Sequence, residues 1–396
     1  MSLLESLIEG IRADRLAQTA LDLVRIPSPT GKTRQAAGYF AEVYRKLGCE
    51  VTILTDIPNA PGGSDAPSVA AWFRGAGTGP TLQFDGHTDT IATPQAEAPD
   101  VRDGVLTGRG AADMKGGVAA AMEAVRVLKD AGITLPGDLL LTTHGLHEAP
   151  IGHGEGLEAL IARGLHGDAA VVVEGPCDEL AVAGRGMAIF NITVRGPETS
   201  THENETPVDT PHPLFATGDL LIALERERLR LRAVERPYVG AETLFIGQVH
   251  GGDFYNRFPT ACHLQGTRRY FADHPFSEVQ NEFEAILDRV ARRTGTKISV
   301  QWDRIRDGYE VSTKERIVQA FQKAYRALNG LKVPLGGFRS VADVSIFVQK
   351  AGIPAIFCGN RGAGAHADRE VVPIGELVRQ TKHLLGIIVY YYGLQG

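Results

Sequence analysis

The chain has little cysteine, tryptophan or methionine: four, two and four residues among 396. Its cysteines (Cys49, Cys177, Cys262, Cys358) are far apart and form no CxxC pair, which argues against a disulfide framework; they read as reduced core thiols of a cytoplasmic protein. No apolar run reaches the ~18–20 residues that span a bilayer. Residues 1–25 lack a basic start followed by an apolar block, so no signal peptide is expected. Positive charge is not in excess either. With 41 Lys+Arg against 47 Asp+Glu the net charge is −6, and no basic cluster suggests a nucleic-acid face. At 43% hydrophobic and 22% charged residues, the composition excludes a disordered chain or a coiled coil. The length suggests two or three domains at ~150 residues each. What the chain does have is glycine, 46 residues with no collagen period and no low-complexity tract.

Hydrophobic spacing predicts helices over 4–24, 34–47, 116–129, 313–329, 341–351 and 374–393. Short, continuously apolar runs at 51–54, 69–73, 81–84, 139–142, 169–173 and 355–358 read as buried strands of an α/β sheet. From about residue 187 the character changes. Strand 187–194, helix 214–229, strands 243–249 and 261–271, helix 278–292 and strand 297–302 follow the β-α-β-β-α-β order of a ferredoxin-like unit. The predicted organisation is therefore an α/β domain with a mixed sheet, discontinuous over 1–186 and 306–396, with a ferredoxin-like lid inserted at 187–305.

Four polar sites fall at or just beyond predicted strand ends: Asp85–Asp89, His147-Glu148, Glu174–Pro176 and the loop carrying His366. Open α/β sheets bind ligands at the carboxyl ends of their strands, and His and Glu are zinc-ligand types. A fifth element, Gly108–Gly117, sets Asp113 among glycines just before a helix. Taken singly, each piece has a plainer reading. A strand-end histidine is more often a hydrogen-bonded core residue, and a buried glutamate is usually ion-paired. The glycine loop matches neither a dinucleotide nor a P-loop spacing, and His147-Glu148…His153 has the wrong spacing for a metalloprotease helix.

Taken together, Asp85-Gly86-His87-Thr88-Asp89, Gly-Arg-Gly-Ala-Ala-Asp-Met-Lys-Gly-Gly at 108–117, Glu174-Gly175-Pro176 and His366 with Glu370 resemble a family of co-catalytic metallohydrolases. Its members include acetylornithine deacetylase, succinyl-diaminopimelate desuccinylase, aminoacylase and glutamate carboxypeptidase. The resemblance covers essentially the whole chain. It implies that His87 and Glu174 ligate one divalent metal, that Glu148 and His366 ligate a second, and that Asp113 bridges the two. Zinc is the expected ion, with cobalt or manganese as alternatives. Asp89 would orient His87, and the Asp113-Met114 peptide would be cis. The lid would supply a histidine that donates to the oxyanion, often across a dimer interface. His202 is the candidate in a loop longer than usual, with His212 as the second choice and a solvated loop histidine as the plain reading. Asn256 and Arg268 (or Arg269) resemble residues that hold the substrate, Gly336-Gly337 a glycine pair that approaches it, and Arg339 a further carboxylate contact. The implied partner is a small acyl-amino-acid or dipeptide-like molecule, on a homodimer joined through the lid.

One departure bears on function. The family has two adjacent glutamates where this chain has His147-Glu148; the first is the general base. His147 can replace it, since imidazole titrates near neutrality. Alternatively Glu155 approaches. A third reading is a metal-binding homologue of weak activity, and a fourth is a metal-bound His147, drawn in by two metals and the nearby His144 and His153. The reaction expected is hydrolysis of the amide bond of an N-acyl amino acid or small peptide-like substrate; the other C–N chemistry left open is that of an aryl amine or ureido group.

Overall fold

The computed structural model describes residues 1–93, 97–338 and 340–394. The chain falls into two compact units, Met1–Val182 with Val311–Gly336 and Ala342–Gly396, and Ala183–Glu310 with Gly337–Val341. Gly337–Val341, read from the sequence as part of the first unit, groups with the second, and the crossings at 182/183 and 310/311 lie four or five residues from the boundaries read from the sequence. The reason is a short antiparallel pairing of Tyr309–Glu310 with Gly184 and Ala183, which extends the second unit at both ends. No helix among the described residues is long and apolar enough to cross a membrane.

The first unit is built on a six-stranded mixed sheet, in the order Glu50–Leu54, Ser68–Phe73, Leu139–His144, Leu82–His87, Ala169–Pro176 and Ala355–Gly359. The last four strands are parallel. Leu139–His144 and Leu82–His87 are buried at every position. That explains their unbroken apolar character: helices cover both faces of a parallel sheet. The parallel direction brings four strand ends to one edge, and there His87 lies opposite His144 in register.

The helix Lys115–Asp130 is buried along almost its whole length. Gly117 permits this, since a Cβ there would run into the carbonyl oxygen of Val173 on the neighbouring strand. Lys115, only 1% exposed, donates from Nζ to Leu23 O at 3.1 Å and Ile26 O at 2.7 Å, satisfying carbonyls at the end of helix Ala13–Arg25. Burial pushes its pKa down to about 7.

Two predicted helices differ from the structure. The segment 4–24 is two helices, Leu3–Glu9 and Ala13–Arg25. Arg12 N–H donates to Glu123 Oε1 at 3.0 Å instead of continuing the first helix, and Arg15 clamps both oxygens of the same buried carboxylate. The segment 341–351 holds only a helical turn, Val344–Ile346, followed by a wider π turn, Phe347–Ala351. The cysteines also differ from the expectation of isolated thiols. All four are free and buried, but Cys177 Sγ and Cys358 Sγ lie 3.1 Å apart.

The second unit is ferredoxin-like. Its four-stranded antiparallel sheet has the order Thr243–Gly251, Ala261–Tyr270, Gly186–Arg195, Lys297–Arg306, with helices Pro213–Leu231 and Phe276–Thr294. Phe190, Ile192, Leu220, Leu224, Phe283 and Leu287 form its core.

Candidate metal centre

His87, Asp113, Glu148 and His366 come together at the carboxyl edge of the main sheet. His87 Nε2 lies 3.1 Å from Asp113 Oδ1, and His366 Nε2 lies 3.4 Å from Asp113 Oδ2. His366 Nε2 is also 3.2 Å from each oxygen of Glu148. The two oxygens of Asp113 thus face two different histidines. Donor atoms 2.0–2.1 Å from a tetrahedral zinc are roughly 3.3 Å from each other, which matches this spacing. Glu174 belongs to the same group by its electrostatics. Its Oε2 is buried without a hydrogen-bond partner among the described residues, and burial with the nearby Asp113 charge pushes its pKa up to about 7. An orphaned carboxylate oxygen near Asp113 and His87, residue types that can hold a metal, fits a divalent cation, which would favour its charged form.

The protonation pattern is that of donors crowded on acceptors. The histidines hold Asp113 far below the usual carboxylate range, burial opposing. Asp113, with Glu148, pushes His366 up to about 9. Burial lowers the affinity of His87 for its proton, but Asp113 and Asp89 outweigh it and the net direction is up.

Local geometry explains how distant segments meet. His366 and Leu146, just before His147-Glu148, both adopt left-handed backbone (φ 65° and 62°). For a non-glycine residue that costs about 1–2 kcal/mol and turns the chain sharply. After the turn at Leu146, the N–H groups of His147 and Glu148 both donate to Asp89 Oδ2 at 3.0 Å. Asp89 contacts His87 as expected, but through a different group. Its carboxylate holds the next loop, while His87 Nδ1 bonds the Asp89 main-chain oxygen at 2.9 Å, with the carboxylate farther away at 3.7 Å. The peptides Asp113-Met114 and Ala149-Pro150 are cis.

Glu370 had no assigned role in the sequence. The strand Val371–Pro373 pairs with Val105–Thr107 and brings it beside the glycine loop. Its buried carboxylate accepts from the N–H groups of Gly110, Ala112 and Asp113 at 2.8–2.9 Å and from Arg109 at 2.8 Å. Glu370→Ala is expected to take the acceptor from four donors, three of them backbone N–H groups, at about 1–3 kcal/mol for each that stays buried. Since Glu370 sets the position of Asp113, zinc affinity should fall about 10–100-fold. Thermal unfolding and zinc titration check this, and unchanged affinity would show that the loop keeps its shape alone.

Among the described residues no hydrogen bond or ion pair joins His147 to the ligand cluster, and its contact there is with His87. Its ring stacks on His87 with centroids 4.1 Å apart and planes 3° from parallel. Its Nδ1 lies 2.8 Å from Asp343 Oδ2. Asp343 was not singled out from the sequence, and nothing local marks it, since it lies in a stretch read as helix. Burial disfavours the charged ring of His147, but Asp343 prevails and its pKa is raised. Glu155, the alternative base, instead accepts from His153 N–H at 2.8 Å at the start of its own helix.

In the second unit, His202 and Asn256 meet: Asn256 Nδ2 lies 3.2 Å from His202 Nε2, and Asn204 N–H donates to His202 Nδ1. With Nδ1 accepting, Nε2 carries the proton, so the Asn256 amide oxygen is the sensible partner. His212 packs between Phe215 and Phe258, and burial lowers its pKa. A cleft of about 520 Å3 is lined by His212, Gly252, Asn256 and Phe258 among others. Arg268, expected to offer a free guanidinium fork, is 2% exposed and donates to Glu242 and to the Arg269 carbonyl. Arg268→Ala is therefore expected to break the buried ion pair, leaving Glu242 only its bonds from Phe271 N–H and His274, and to destabilise the protein by up to about 3–5 kcal/mol. Chemical unfolding measures this. Unchanged stability with a raised KM would return the residue to substrate binding. Gly336 and Gly337 have packing reasons of their own: a Cβ would strike Glu179 at the first and the Tyr238 main chain at the second. Arg339 lies outside the described residues.

An α/β sheet with paired His and carboxylate donors at its carboxyl edge, in a chain that also carries a ferredoxin-like unit, is the arrangement of a metallohydrolase. Comparison with known proteins names the family. A profile of peptidase family M20/M25/M40 matches residues 83–389, and the chain belongs to that family. It is 28% identical, over 98% of its length and 97% of the relative's, to N-formyl-4-amino-5-aminomethyl-2-methylpyrimidine deformylase of Halalkalibacterium halodurans. It is 35% identical to succinyl-diaminopimelate desuccinylase of Gluconacetobacter diazotrophicus, over 50% of this chain and 53% of that one. Among solved structures, aminopeptidase PepT of Bacillus cereus superposes with a TM-score of 0.83 at 20% identity, covering 96% of this chain and 99% of that one, a likeness of fold.

Proposed function

We propose that this family member hydrolyses the amide bond of a small N-acylated amine or amino acid at a pair of divalent metals. His87, Asp113 and Glu174 would hold one ion, and Asp113, Glu148 and His366 the other. The observation that carries the reading is the split of Asp113, one oxygen toward His87 and one toward His366. The nitrogen and carboxylate donor set suits zinc best. The metals, when bound, polarise the attacking water and the scissile carbonyl. His147 takes a proton from that water at Nε2 and delivers it to the leaving nitrogen, so that one C–O bond forms as the C–N bond breaks. His202 is the proposed oxyanion donor, a role that requires its Nε2 proton, held by Asn256 in this structure, to leave that contact when substrate binds. The protein works as a homodimer through the ferredoxin-like unit, in the cytoplasm, where its four free cysteines stay reduced.

Two substrate groups are in view. N-acyl amino acids accord with the desuccinylase relative. Acylated amines without an α-carboxylate accord with the deformylase relative, and the commitment of Arg268 to Glu242 favours them by removing one carboxylate contact. The deciding experiment gives the zinc-, manganese- or cobalt-loaded protein N-formyl, N-acetyl and N-succinyl derivatives of amino acids and of arylmethylamines. Free amine should appear above the metal-free control from at least one group. No release from any of them would overturn the reading.

A further inference from the structure

A chain of buried polar side chains runs from the middle of the main sheet to His147. Gln83 Nε2 donates to Thr142 Oγ1 at 2.7 Å, and Thr142 Oγ1 donates to Asp85 Oδ1 at 2.5 Å. His144 Nε2 lies 3.2 Å from Asp85 Oδ2 and 3.4 Å from Asp343 Oδ2. That same Asp343 oxygen lies 2.8 Å from His147 Nδ1. Gln83, Asp85, Thr142, His144 and Asp343 are each at most 1% exposed.

The hydrogen positions follow from counting donors. His144 Nδ1 is buried with no partner among the described residues, while its Nε2 sits between two carboxylates, so Nε2 carries the proton. That hydrogen goes to the nearer Asp85 Oδ2, and Asp343 Oδ2 lies 3.4 Å from the same nitrogen. Asp343 Oδ2 faces His147 Nδ1 at 2.8 Å, and because an ionised carboxylate only accepts, Nδ1 is the donor. Its tautomer set in this way, His147 has its lone pair on Nε2, on the side of the ring away from Asp343. The stack on His87 sets the ring plane, and Asp89 holds the His147 main chain. Orientation, plane and tautomer are thus fixed by three different neighbours.

We propose that Asp343 is the positioning residue of this hydrolase: it holds His147 in the Nδ1–H form, leaving Nε2 to accept a proton, with His144, itself bonded to Asp85, packed beside it. The carboxylate base of the family is replaced here by an imidazole that a buried carboxylate orients. This rests on the reading of the site as hydrolytic, and it adds a residue that no ligand assignment requires.

The test reads the ring directly. In uniformly 15N-labelled, zinc-loaded protein at mildly alkaline pH, the His147 signals are those lost in His147→Gln. A protonated Nδ1 with an unprotonated, metal-free Nε2 supports the proposal. A protonated Nε2, or an Nε2 shifted by zinc coordination, overturns it. Asp343→Asn should lower kcat about 100-fold or more, with KM and zinc content nearly unchanged, and should give a mixture of His147 tautomers. Asp343→Glu should recover part of kcat. Unchanged kcat in Asp343→Asn would overturn the proposal. If that variant does not fold, the wild-type tautomer decides. If wild type hydrolyses no acylated amine, the functional reading fails while the tautomer still reports on Asp343.

Discussion

Asp113→Asn is expected to retain fewer than two zinc ions per chain and to lose turnover by about 10³-fold or more, since Lewis-acid stabilisation is worth several kcal/mol and each 1.4 kcal/mol is tenfold in rate. An amide keeps one acceptor oxygen and loses the charge. Asp113 uses both oxygens, Oδ1 toward His87 and Oδ2 toward His366, so no rotamer of asparagine can serve both sides. The fold should be spared. The Asp113 main-chain N–H still bonds Glu370, and the side chain is partly exposed, so no packed volume is lost. Elemental analysis and metal-free thermal unfolding separate the two effects. Two retained ions with normal turnover would show that Asp113 does not bridge.

The second large effect is at His147. His147→Ala is expected to lower kcat by about 10²–10⁴-fold, the usual loss for a general base, with both metals retained because the ring makes no contact with the cluster except its stack on His87. His147→Glu restores the residue type that the family carries, and so would be expected to rescue. Here it should not. A carboxylate in that place would face Asp343, now 2.8 Å from the imidazole, and two like charges at that range disfavour each other's ionised form. The double change His147→Glu with Asp343→Asn removes the clash and should regain part of kcat. Full activity in His147→Glu alone would mean that the Asp343 contact has no part in turnover. Steady-state kinetics on the best substrate from the panel, with metal content beside it, reads all three variants.

Much of the site was legible before any coordinates. Asp113 announced itself by the glycines around it, which let the loop fold tightly and let the following helix approach Val173. His87, Glu148 and Glu174 were legible because they stand at the ends of short apolar strands, and parallel strands deliver such ends to one edge. The ferredoxin-like unit was legible because half-exposed strands alternate in burial, as Gly186–Arg195 does. Arg268 was read from the resemblance as a substrate contact, and the strand pattern carries no sign that Glu242, 26 residues earlier and just before the paired strand, lies against it.

The sequence by itself determined the order of elements, the family and the residue types at the metal cluster, because these rest on local periodicity and on motifs a few residues long. Tertiary structure decided which acceptor each donor finds. Asp89 gives its carboxylate to the backbone of the next loop and its carbonyl to His87. Glu370 seals the loop of Asp113 from 257 residues away, and Asp343 reaches His147 from 196 residues away. A buried carboxylate must be bonded somewhere, but the partner is whatever the folded chain brings within about 3 Å, and no spacing along the sequence encodes that distance.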